Sequence, residues 1–346
     1  MPIAIQDWPV LRRKGIFEMQ MARFAVCLLA PVAIAAARPN PAIVDYSDYS
    51  AAFDQFEART RNMPAEARVA EFRKTFDRIR PGLYADNNPQ RLNRRILRSL
   101  DEFPALRPAY LQVSQQFDTN LSEAVQNFRR VFPDFSSPLP IILTHELGMR
   151  DGGSDYVAGQ KVMLFGADMI AKAHNDNSLQ PFLEHELFHL EHARHFADCD
   201  QFWCPLWQEG LATYAASEMT PGANDHQLLL DLPRPVREPT EEHWREALCT
   251  VAAEFDQTNE KAMDLAFTGG RSDGSGLPSR FGYYVGLRLA AEAGQQMALP
   301  ALARLDDEHA RPVVARALKT LIAKANAPCS LPAARMPITR RAPRPA

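Results

Sequence analysis

Phe182-Leu183-Glu184-His185-Glu186-Leu187-Phe188-His189-Leu190 reads as one continuous helix. Its polar residues are set among large apolar ones, Ser178 or Asn177 stands where a cap is wanted, and Pro181 suits a first turn. On a helix, positions i and i+4 lie on one face about a turn apart. The imidazoles of His185 and His189 can therefore reach a single metal ion. Glu186 sits one residue round from the first imidazole, where it addresses a water beside the metal rather than the metal itself.

Working outward, the next helical segment carries Trp207-Gln208-Glu209-Gly210-Leu211-Ala212-Thr213-Tyr214. With the His-Glu-x-x-His helix, this resembles the gluzincin metallopeptidases, the thermolysin-like and aminopeptidase-like clan. There a Glu within Glu-Gly-x-Ala-x-Tyr is the third zinc ligand. The resemblance covers roughly residues 136–290. It implies His185, His189 and Glu209 as ligands of Zn²⁺ and Glu186 as the general base in hydrolysis of a peptide or protein substrate. Two neutral imidazoles and one carboxylate leave a coordination position open, as catalytic zinc sites do. The competing structural reading is a capped helix whose Glu209 is merely solvated. Thr213, one turn after Glu209, stands where thermolysin-like enzymes have an acidic residue, and is a candidate for a hydrogen bond to a ligand.

Farther on, Tyr283-Tyr284-Val285-Gly286 resembles the Tyr-x-x-Gly of the aminopeptidase branch, whose Tyr donates to the oxyanion. The Gly spacing selects Tyr283, with Tyr284 as the fallback; the alternative is that both tyrosines simply pack. His192 and His195 extend the histidine pattern, and a metzincin-type site would use His195 as third ligand. That site needs a turn at position 192, which His adopts only at steric cost. Met219-Thr220-Pro221 faintly resembles a Met-turn but leaves Glu209-Gly210 unexplained. His145-Glu146 has Met149 where a second imidazole is required. A structural site from His195, Cys199 and Cys204 lacks a fourth ligand.

The expected fold is α+β, mostly helical, with a small mixed sheet beside the active-site helix, a zincin-like arrangement. Strands are expected at Leu139–Thr144 and Gln160–Phe165, separated by the turn-rich Asp151–Asp155. By the resemblance, Gln160–Phe165 is the edge strand that pairs with extended substrate backbone. Three apolar stripes at helical spacing precede the sheet: Val69 to Ile79, Leu92 to Phe103, and Phe117 to Phe132. Residues 38–50 read as a loose lead-in. A later helix is headed by Thr240, with Trp244, Leu248, Val251 and Phe255 on one face, and further helices run from about Tyr283 to Ala325.

The chain has 346 residues, with 39 Lys and Arg against 42 Asp and Glu, a net charge of −3. No bulk positive charge marks a nucleic-acid binder. Phe24–Ala37 is an apolar stretch behind Arg23, shorter than the roughly 20 residues of a transmembrane helix. With Ala35-Ala36-Ala37 it fits a secretory signal over residues 1–37, starting at Met1, Met19 or Met21, so no stable membrane span is expected after its removal. The division that follows is an N-terminal helical region 38–132, a metallopeptidase domain 133–327 and a Pro- and Arg-rich tail 328–346. Cys199, Cys204, Cys249 and Cys329 then allow two disulfides, Cys199–Cys204 and Cys249–Cys329 being the natural set. Four buried thiols would be the alternative. The expectation is thus a secreted or periplasmic zinc peptidase. Its rivals are a zinc hydrolase of a non-peptide amide and an exported zinc-binding protein without activity.

Overall fold

The computed structural model describes residues 44–174, 178–197, 199–269 and 274–331. The expected signal segment, Asn177, and the tail from 332 onward lie outside these residues. Strand β1 (Tyr46–Asp48) leads into helices α1 (Ser50–Thr60), α2 (Ala65–Ile79) and α3 (Pro89–Val131). Strands β2 (Ile141–Thr144), β3 (Gly152–Val157) and β4 (Gln160–Gly166) follow. The remainder is helical: α4 (Ala167–Ala173), α5 (Gln180–His192), α6 (Trp203–Met219), α7 (Arg237–Glu242) and α8 (Trp244–Glu254). It closes with α9 (Glu260–Phe267), α10 (Phe281–Gly294), α11 (Leu299–Ala303) and α12 (Asp307–Ala325). Among the described residues, no helix is long and apolar enough to cross a membrane.

The architecture is α+β, with one mixed four-stranded sheet in the order β1-β2-β4-β3. β1, β2 and β4 run parallel, and β3 pairs antiparallel with β4. Alternation along the strands sends Ile141, Leu143, Met163 and Phe165 into the main helical core. Ile142, Val162 and Leu164 face a smaller cluster with Leu83. The main core runs from Phe53 on α1 to Ile322 on α12, so the N-terminal helices share it with the rest of the chain.

Four local expectations are corrected. β1 lies in the segment read as a lead-in; three half-exposed residues carry no periodicity, and pairing with β2 supplies the strand, Ile141 N donating to Asp45 O at 2.7 Å. Asp151–Asp155, read as turn-rich, instead opens a strand, β3, which begins at Gly152 and runs to Val157. Its hairpin turn is Ala158-Gly159, both with positive φ (50° and 81°), which suits the twist of a two-residue hairpin. The second and third apolar stripes belong to one 43-residue helix, α3, which passes through Pro104 and Pro108. Each proline removes a helical hydrogen bond, at roughly 3 kcal/mol, and burial of Leu92, Ile96, Phe103, Tyr110, Phe117 and Phe128 offsets that cost. Thr240 lies inside α7, its hydroxyl donating to Val236 O at 2.6 Å, and α8 begins at Trp244.

Helix α5 is buried on almost every side. Pro181 fills the first turn, as expected, but the residue that caps α5 is Leu179, which makes no side-chain cap bond; Ser178 stands one residue further out and its Oγ accepts only from Gln180 N at 3.2 Å. The cost of this burial is met locally. Glu184, fully buried, accepts from Gln180 Nε2 at 2.6 Å, from Thr220 Oγ1 at 2.8 Å and from Asn127 Nδ2. These bonds fix α5 against α3 and the end of α6.

Both expected cysteine pairs are formed, Cys199–Cys204 across the α5–α6 connection and Cys249–Cys329 from α8 to the segment after α12. Thiol labelling of denatured, unreduced protein should therefore find none of these four cysteines free. The 80-residue separation of Cys249 and Cys329 makes that bridge the stronger constraint on the unfolded chain. Replacing both by Ser should lower stability by ~2–5 kcal/mol, read by denaturant titration.

Candidate metal centre

Two helices build the centre. α5 presents His185 and His189 one turn apart, and α6 presents Glu209 opposite them. His185 Nε2 lies 3.0 Å from His189 Nε2 and 3.3 Å from Glu209 Oε2, and His189 Nε2 lies 3.5 Å from the same oxygen. These three side chains form the one group among the described residues whose ligand atoms could hold a metal ion. His185 is buried, whereas His189 and Glu209 remain partly open, so the group has a dry floor and a wet mouth. Two imidazole nitrogens and one carboxylate oxygen converging this closely suit a borderline divalent cation.

The electrostatics agree with a cation-holding set. Burial holds the His185 imidazole below its ordinary value, favouring the neutral, ligating form. Burial works to raise Glu209, but the neighbouring His189 and His185 outweigh it and keep that carboxyl well below the usual range. Glu186 differs: burial pushes it up to about 8, with Asp151 and Glu209 adding to the rise and His189 opposing it.

Glu186 is positioned by a glycine. A Cβ at Gly152 would lie 2.7 Å from the Glu186 carboxyl carbon, so the start of β3 touches this side chain directly. Beside it, Asp151 accepts from Gly152 N at 3.0 Å and faces His174 Nε2 at 3.1 Å. His174 stacks on Phe182 of α5, with ring centroids 4.5 Å apart. This Asp151–His174 pair was not anticipated from sequence; its members lie on separate elements and match no spacing rule.

The two tyrosines separate cleanly. Tyr283 stacks on His185, with centroids 6.3 Å apart and planes 16° apart, and burial, with the charge of Glu209 adding to it, raises its hydroxyl above the ordinary value. Tyr284 points to the other side of α10, donating to Glu241 and accepting from Arg288 Nη1 at 2.8 Å. The choice is set by a helix crossing. A Cβ on Gly210 would fall 2.3 Å from Gly286 Cα, so α6 and α10 meet backbone to backbone there. Glu209 and Tyr283 flank that crossing. Gly286→Ala should cost roughly 1–3 kcal/mol, read by thermal or denaturant unfolding, because a methyl there forces the helices apart.

Other candidates fall outside the group. Thr213 Oγ1 donates to the backbone oxygen of Glu209 at 2.8 Å, so it serves its own helix and not a ligand side chain. His192 is buried with Nδ1 on Ala303 O at 2.9 Å, and α5 stays helical through this residue instead of turning. His195 lies exposed beside Glu191 at 3.8 Å. The Cys199–Cys204 bridge removes the two thiolates of the alternative structural site. His145 stacks on Phe53 at 3.6 Å, and Glu146 pairs with Arg150 Nε at 3.1 Å.

The expected edge strand is corrected. β4 is internal, between β2 and β3, and the strand with a free edge beside Glu186 is β3. The turn-like composition of Gly152-Gly153-Ser154-Asp155 concealed it, since an edge strand needs no apolar alternation.

Scans of family models, curated proteins and solved structures return no match to this chain.

Proposed function

We propose that this protein is an exported zinc-dependent peptidase of the gluzincin type. The observation that carries the reading is the convergence of His185, His189 and Glu209 beside a non-ligating glutamate, Glu186, held in place by Gly152. The donor set fits zinc, with His185, His189 and Glu209 as its ligands. When bound, zinc supplies a Lewis acid that polarises a carbonyl and lowers the pKa of water toward ~7.

The chain's own residues do the rest. Glu186 takes a proton from the attacking water and returns it to the departing amine. The Tyr283 hydroxyl donates to the carbonyl oxygen as negative charge develops there. β3 offers its unpaired edge to extended substrate backbone, which places the scissile bond alongside Glu186. Export rests on the apolar segment before residue 38 and is compatible with the two disulfides.

The decisive experiment incubates the protein with a peptide library, with and without a chelator, then restores zinc. Cleavage that the chelator abolishes and zinc restores is the expected result. If no peptide is cut but simple amides are hydrolysed, the substrate class is wrong. If neither is cut by zinc-loaded protein, the site only binds metal. Tyr283→Phe should slow hydrolysis ~10²–10³-fold without changing metal content. Tyr284→Phe should instead cost roughly 1 kcal/mol of stability and leave the rate nearly unchanged.

A further inference from the structure

Arg150 lies just ahead of β3, and its side chain runs along that strand. Its Nη2 meets Asp155 Oδ2 at 2.7 Å, and a Cβ on Gly153 would lie 3.7 Å from its Cδ. Its Nε meets Glu146 Oε2 at 3.1 Å. Successive residues of a strand point to opposite faces, so Gly153 and Asp155 share one face and Gly152 takes the other. Glu186 therefore lies against one face of β3, at Gly152, and Arg150 lies against the opposite face.

The two ends of this bridge differ. Glu146 is 1% exposed and sits in a fixed loop, its amide and that of Gly148 donating to Asp168 at 2.7 and 2.8 Å. The same loop closes on β4. A Cβ on Gly166 would lie 2.9 Å from Glu146 Cβ, and Gly166 N donates to Asp151 O at 2.9 Å. β3, by contrast, is the last strand of the sheet, with β4 as its one strand neighbour among the described residues. Asp155 on it is aligned by Tyr156 N, which donates to its Oδ1 at 2.7 Å. An exposed ion pair by itself contributes little. Here Arg150 is the one ion-pair partner of a buried carboxylate among the described residues, so its loss leaves that carboxylate uncompensated as well as freeing the strand.

We propose that Arg150 is a positioning residue: by tying the buried Glu146 to Asp155 it holds β3 against Glu186, and so governs how strongly the enzyme favours long, extended peptides over short ones. The assignment rests on the peptidase reading, in which the free edge of β3 receives substrate backbone. A short substrate reaches Glu186 without using the rest of β3. A long one gains main-chain hydrogen bonds along the strand, and only if the strand keeps its place.

The test uses zinc-loaded protein and compares kcat/KM for a blocked dipeptide with kcat/KM for longer peptides built on the same bond and extended toward either end. Wild type should favour one of the longer peptides by ~10–100-fold, as two or three main-chain hydrogen bonds would give. Arg150→Met combined with Glu146→Gln removes the bridge without leaving a buried charge unpaired. In that double variant the ratio should fall to about one, mainly through KM, with zinc content retained. Arg150→Lys, which keeps the charge but not the fork that reaches both carboxylates, should preserve part of the preference. Hydrogen exchange without substrate supplies a second readout: protection across residues 152–157 should drop ~10-fold in the double variant while α5 keeps its own. A wild type that cuts short and long peptides alike, an equal loss of rate on both in the double variant, or unchanged protection of β3 would overturn the proposal. Loss of β3 protection in a protein whose wild type cuts no peptide would refute the peptidase reading and leave the clamp standing.

Discussion

Glu186→Gln should lower the rate of peptide hydrolysis by ~10²–10⁴-fold while the protein keeps its full complement of zinc. The substitution preserves the size of the side chain and its hydrogen-bonding reach, so the contact with Gly152 survives. It removes only basicity. Glu186 is not among the three converging ligand groups, and metal content is therefore the control that separates this effect from damage to the site. The measurement is kcat/KM on any peptide the wild type cleaves, with zinc quantified for both proteins. A large fall with zinc retained identifies Glu186 as the proton acceptor. An unchanged rate would show that α5 is not the catalytic element, whatever the metal does there.

The site was legible in sequence where its geometry is local. His185, Glu186 and His189 occupy one stretch of helix, and the helical repeat alone places both imidazoles on one face. Glu209 and Tyr283 became readable through short motifs whose glycines have a physical meaning. The Gly after Glu209 and the Gly three residues after Tyr283 are the two halves of one helix contact, Gly210 against Gly286. That contact brings Tyr283 over His185 and turns Tyr284 away, a choice the spacing of two adjacent tyrosines leaves open. What sequence hid depends on distant partners. Asp151 and His174 meet across separate elements. The exchange of β3 for β4 at the sheet edge has the same origin. A buried, apolar β4 reads clearly as a strand, but nothing local says that a polar hairpin partner shields it from the cleft.

Glu209→Gln should empty the metal centre, whereas His195→Ala should leave it filled. Glu209 supplies the only negative charge of the ligand group, and its Oε2 lies within 3.5 Å of both imidazole nitrogens. A neutral carboxamide keeps the shape but presents a poorer donor to a divalent cation. Loss of a partner outside the ligand set typically costs 10–100-fold in affinity, so loss of this charged ligand should exceed ~10²-fold. The effect has a second readout. Metal that binds only the folded state stabilises it by ~2.7 kcal/mol at a free concentration one hundred times Kd. Added zinc should therefore raise the Tm of the wild type and of His195→Ala, and barely move that of Glu209→Gln. His195 sits exposed on the turn after α5, near Glu191, so its imidazole has no part in holding the ion. Zinc retained by Glu209→Gln and lost from His195→Ala would assign the third ligand to the histidine and undo the helix pairing on which the gluzincin reading depends.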